Sequence, residues 1–134
     1  MNISSFDDLL SAARAQDDPQ RLLFVFAQAE LSDDSTHEER RRFEAGEGGA
    51  LVPVMAVDKA PHEIADFGAL LQESLQFGKP WAVVFAAALS GRHGVVPADD
   101  DVATALDRMT EAIKTGNLTA FTPFGRDGHT VRFS

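Results

Sequence analysis

Nine apolar residues in a row, Trp81 to Leu89 (WAVVFAAAL), constrain the fold of this chain more than any other feature. The run stops at Ser90-Gly91-Arg92-His93-Gly94. It is far shorter than the roughly 20 apolar residues a membrane helix needs. A short unbroken apolar run bounded by glycine reads as a strand buried on both faces, the pattern of a parallel sheet covered by helices. Side chains alternate along a strand, so Val84 and Phe85 should point to opposite faces and both be buried. The other elements should then be layers around this strand, and the loop after it should be the working surface.

Periodicity supplies those layers. Phe6, Leu9, Leu10 and Ala13 recur on one helical face, Ser5 can cap that helix, and Asp7 and Asp8 sit where its dipole favours acids. Arg21 to Ala29 (RLLFVFAQA) reads as another central strand, although a buried helix segment fits the same pattern. Ser35 with Glu38 and Thr36 with Glu39 are overlapping capping boxes. They predict a helix to about Ala45, polar except for Phe43, with Glu38 paired to Arg41 and Arg42. Gly46, Gly48 and Gly49 should end it. Leu51 to Val57 is a third strand, and Pro53 argues for an edge position.

A helix from about His62 to Gln76 should bury Ile64, Phe67, Leu71 and Leu75. Beyond the central run, Asp99 to Asp101 introduce the clearest helix, with Val102, Ala105, Leu106, Met109, Ala112 and Ile113 on its apolar face. Leu118 to Phe124 and Thr130 to Phe133 then read as two strands joined at Asp127-Gly128 by a type I′ turn. The order α-β-α-β-α-β-α-β-β predicts a single α/β domain over 1–134. Its sheet should be mixed but mainly parallel, with about five strands covered by helices, and should end in an antiparallel β-hairpin. In such sheets ligands bind beyond the carboxyl ends of the strands.

Charge and missing residue types narrow the chemistry. The net charge is −9, so nucleic acid and anionic membrane surfaces are not expected partners. With no cysteine, disulfides, thiolate nucleophiles and thiolate metal sites are excluded, and with no tyrosine a tyrosyl acid is excluded. The first residues carry no basic leader before a long apolar stretch, so the expected location is the cytoplasm. The length of 134 residues is enough for one real core.

Three loops should open at the carboxyl ends of the predicted strands. The first holds Glu30, Asp33, Asp34 and His37. The second holds Asp58, Lys59 and His62, which can be read as an acid–base group or as a strand end followed by a helix start. The third holds Ser90, Arg92 and His93. There two glycines allow close backbone approach, and Arg92 and His93 can hold an anion, though Asp99 to Asp101 occupy the dipole site a phosphate would want. The spacing fits neither a P-loop nor a dinucleotide fingerprint. His37, His62, His93 and His129 show no metal-ligand spacing, and Ser90-Gly91 lacks the frame of a nucleophile elbow. No metal and no cofactor are expected.

The stretches RLLFVFAQAEL, RRRFEAGEGGALVPVMAVDKAP and FAAALSGR resemble a group of small uncharacterised proteobacterial proteins, over most of the chain. Some of that group carry the label "ribonucleotide reductase subunit alpha". Large reductase subunits are several times longer and use cysteines for radical transfer, so the resemblance implies at most an accessory role and transfers no catalytic residue. The expected function is therefore non-catalytic binding by a homodimer, since Phe121, Phe124 and Phe133 of the terminal hairpin either cover a helix or meet a second subunit. The alternative is an enzyme or sensor for an anionic metabolite at the Ser90–Gly94 loop, with Arg92 as clamp and His93 as proton carrier.

Overall fold

The computed structural model describes residues 3–31, 33–45 and 50–132. Helix α1 (Phe6–Arg14) precedes strand β1 (Gln20–Glu30), helix α2 (His37–Glu44) and strand β2 (Ala50–Lys59). A 3-10 turn (Pro61–Glu63), helix α3 (Phe67–Leu75), strand β3 (Val83–Ser90), helix α4 (Asp99–Lys114) and strand β4 (Thr122–Phe124) complete the order. The strands form one four-stranded sheet in the order β2-β1-β3-β4.

Every pairing is antiparallel, which overturns the expected mainly parallel five-stranded sheet. The apolar run did report a strand covered on both faces over Val83 to Ala86, where Val84 and Phe85 are fully buried in opposite layers. The strand begins at Val83 rather than Trp81, however, and its second half is open on one face, with Ala88 exposed. Burial says what lies above and below a strand, not which strand lies beside it. A parallel β1–β2 unit would need a crossover helix with an apolar stripe on the sheet. α2 buries no residue, so it only links two antiparallel neighbours. β2 and β3 do run in the same direction, but β1 lies between them.

One layer is aromatic. Phe6 packs its ring 5.5 Å from Phe24, 5.2 Å from Phe67 and 5.5 Å from Phe124. Leu22, Phe24 and Phe26 of β1 carry this face, under α1 and α3. The other layer sets Leu23, Val25, Val83 and Phe85 against Val102, Met109 and Ile113 of α4. Ser5 caps α1 with Asp8 completing the box, and Thr36 with Glu39 does the same for α2.

Several local expectations change. α3 begins at the Asp66 cap rather than at His62, which rotates its buried stripe to Phe67, Leu70 and Ser74. Leu71 is only partly buried and Leu75 is 47% exposed. Pro53 does lie on an edge strand. It sits beside a bulge, since Phe26 pairs with Met55 and Ala27 with Pro53, leaving Val54 as the extra residue. The pairs expected between Glu38 and Arg41 or Arg42 do not form among the described residues; Arg40 instead donates to the Asp33 carbonyl at 2.8 Å.

The terminal hairpin is reduced to β4 and single bridges at His129 and Thr130. Its turn centres on Arg126 and Asp127, closed by Gly128 N–H donating to the Gly125 carbonyl at 3.1 Å. A type I′ turn at Asp127 would require positive φ there, and the described non-glycine residue with positive φ is His93. Phe124 is fully buried against Phe6 and Phe121 is half-buried against the α4 layer, so these two rings are used within the chain. Gly46, Gly48, Gly49 and Phe133 lie outside the described residues. No helix among the described residues is long and apolar enough to cross a membrane.

Candidate functional site

The end of β3 is shaped by a close backbone approach. Gly91 N–H donates to the Pro19 carbonyl at 2.8 Å, continuing the β1 register. A Cβ at Gly91 would stand 1.9 Å from the Val95 carbonyl oxygen, so only glycine lets the chain fold back there. Arg92 and Val95 exchange both backbone hydrogen bonds, at 3.1 and 2.9 Å. The two residues between them, His93 and Gly94, have φ of 53° and 76°, the signature of a type I′ turn. Gly94 N–H is held by the Asp18 carboxylate at 3.1 Å.

This small hairpin and α4 enclose a cleft of about 610 Å³. Leu89, Val95, Val96, Pro97 and Ala105 make its apolar wall, and Ser90, Arg92, Asp101, Thr104 and Arg108 its polar groups. Val95 and Val96 are 64% and 60% exposed. Neither Arg92 nor Arg108 makes a side-chain hydrogen bond or ion pair with the described residues. Two uncommitted guanidiniums in one cleft are suited to a carboxylate or phosphate, which a planar fork grips through two parallel hydrogen bonds. The Asp101 carboxylate on the same wall accepts hydrogen bonds from any donor such a ligand carries.

Of the six residues read as a site, the cleft takes Ser90 and Arg92. The Ser90 hydroxyl accepts from the Gln20 amide at 3.0 Å and donates to the Gly91 carbonyl at 3.0 Å, so it is a structural group of the β3 end. His93 is exposed at the tip of the turn and does not line the cleft. Asp58 lies on β2 and is bound to Arg21 at 2.7 Å; that carboxylate raises the Arg21 pKa above its usual value. Lys59 is bound to Glu73 of α3 at 2.7 Å, and His62 is exposed in the 3-10 turn. The acid–base group of Asp58, Lys59 and His62 is not assembled, because two of its members are paired elsewhere.

Antiparallel pairing also rearranges the loops. The ends of β2 and β3 meet at one end of the sheet with the start of β1 between them, whereas Glu30 and the loop after it lie at the other end. Thr104 and Arg108 were missed, and Asp101, read only as one of three acids opposing a phosphate at the helix start, lines the cleft with them. The three recur at i, i+3 and i+7 on α4, flanking its buried stripe, so the helical period carried the signal once the loop was known to lead into this helix. Among the described residues, no group of three His, Asp or Glu side chains is placed to hold a metal. No protein-family model, curated protein or solved structure gives a significant match to this chain.

Proposed function

We propose that this chain is a non-catalytic binding protein whose cleft between the end of β3 and α4 takes an anionic group. The observation that carries this is the pair Arg92 and Arg108, uncommitted within the described residues and lining one 610 Å³ cleft in a chain of net charge −9. Both guanidiniums line the same cleft and neither meets a carboxylate among the described residues, so both are available to one ligand. A binding role is favoured over general acid–base catalysis because His93 is not among the residues that line the cleft, where Asp101 is the one titratable base.

The test is thermal unfolding with inorganic phosphate, citrate and a panel of phosphorylated and carboxylated metabolites. A ligand at about 100 times its Kd stabilises by about 2.7 kcal/mol. The expected result is an upward shift that disappears in both Arg92→Ala and Arg108→Ala. Absence of any shift at millimolar ligand would end this reading.

A second reading is self-association as a homodimer. Leu75 and Phe77 stand 47% and 55% exposed at the end of α3, an apolar pair that a second subunit can cover. Light scattering at micromolar concentration decides it, since a clean 14.5 kDa monomer removes the dimer.

A further inference from the structure

We propose that the cleft is one end of a docking groove for an extended peptide segment bearing a carboxylate. The segment adds to the free edge of β3 at Ala88 and Ser90 and places its carboxylate on Arg92 and Arg108. This rests on the reading of the cleft as an anion site and names the partner that fits it.

The free edge follows from register. Gly91 bonds to Pro19 in the β1–β3 ladder, so the odd-numbered residues of β3 form the hydrogen-bonded pairs with β1. The even-numbered residues therefore turn their N–H and C=O groups toward the β4 side. β4 reaches only Val84 and Ala86, with Pro123, which has no N–H to donate, opposite Phe85. Before β4 the chain is tied into a turn, Phe121 N–H donating to the Leu118 carbonyl at 3.2 Å, so the ladder stops there. Ala88 and Ser90 are exposed residues of a strand edge that β4 does not cover.

The opposite edge is protected. β2 carries Pro53 and a bulge, two devices that discourage strand addition. The β3 edge has neither, and it runs directly into the cleft through Leu89 and Ser90. Exposed Val95 and Val96 offer apolar surface to alternate side chains of an added strand. A strand edge recognises peptide N–H and C=O groups. The two arginines select an acidic residue or a chain-terminal carboxylate over a basic one. The overall charge of −9 does not by itself prevent this, because at physiological salt fields are screened beyond about 8 Å, and the cleft lining carries Arg92 and Arg108 against Asp101.

The probe comes from a phage-displayed library of random heptapeptides, panned on the full chain and resynthesised with a fluorophore. Recovered peptides should carry Asp or Glu beside alternating β-branched residues. Anisotropy should show binding weakened about tenfold or more in Arg108→Ala, whose unfolding temperature should match the parent because Arg108 is exposed. Amide exchange followed by NMR should slow at Ala88 and Ser90 when peptide is added. N-methylation of the peptide amide facing Ala88 should abolish binding. Peptides that bind without protecting Ala88 and Ser90 overturn the proposal, as does failure to recover any peptide. If phosphate or citrate still shows arginine-dependent stabilisation in that case, the anion site stands and only the peptide is lost. Peptides that protect the edge but bind Arg92→Ala and Arg108→Ala as tightly as the parent overturn both.

Discussion

Gly91→Ala separates steric from torsional cost in the loop that builds the cleft. Gly91 has no positive φ, so alanine there suffers no left-handed strain. Its Cβ would instead meet the Val95 carbonyl oxygen at 1.9 Å, the Val95 carbonyl carbon at 3.0 Å and the Pro19 oxygen at 3.1 Å. All three are backbone atoms, so no flexible side chain can move aside. Overpacking of this kind costs about 1–3 kcal/mol. Pushing the strands apart also weakens the bond to Pro19 and the two between Arg92 and Val95, each worth about 1 kcal/mol net. The expected total is about 3 kcal/mol, well within the roughly 5–15 kcal/mol of a small domain, so the variant should fold but melt early. Gly94→Ala is the control. Its Cβ meets nothing within 4 Å, but φ is +76°, so only about 1 kcal/mol of left-handed strain is expected. Urea denaturation of both variants should rank Gly91→Ala as clearly worse, and it should also lose the anion-dependent thermal shift. A Gly91→Ala variant within 1 kcal/mol of the parent would refute the close approach as the determinant of this loop.

Phe85→Ala should cost about 3–5 kcal/mol by urea denaturation, and Val84→Asp should be comparably severe, because the two side chains are fully buried in opposite layers; a silent Val84→Asp would sink the doubly covered sheet. Ser74→Ala should cost about 1–3 kcal/mol, since it leaves the buried Trp81 indole N–H without its 2.9 Å acceptor. The single tryptophan reports that change directly in fluorescence-monitored unfolding, and an unchanged midpoint would argue against the bond. The Asp8 carboxyl is held below its usual pKa, first by the Ser4 N–H, then by the Ser4 hydroxyl and by Ser5. Its folded pKa lies below its unfolded one, so its contribution is fully present above the unfolded value and fades as pH falls through the folded one. The stability gap between the parent and Asp8→Asn should therefore close below about pH 4, and a gap that stays constant into stronger acid would contradict the assignment.

Much of the architecture was legible in local sequence. The apolar face of α1, both strand cores, the stripe of α4 and the caps at Ser5 and Thr36 depend on residues three or four apart, or on alternate ones. Backbone geometry alone imposes those periods. The tight turn within Ser90–Gly94 was legible for a similar reason, since two glycines in five residues mark a backbone that must turn sharply. Strand partners were not legible. Val84 and Phe85 are apolar because layers lie above and below them, and that requirement is the same in a parallel and an antiparallel sheet. The polar surface of α2, visible in the sequence, already argued against a crossover between β1 and β2, but no local pattern placed β3 beside β1. The fates of Asp58 and Lys59 were equally hidden, because Arg21 lies 37 positions from the first and Glu73 lies 14 from the second. Arg108 joined Arg92 only once α4 was laid beside the end of β3. Charge pairing is decided by which side chains the packed layers bring within a few ångströms, and that distance exists only in the tertiary structure.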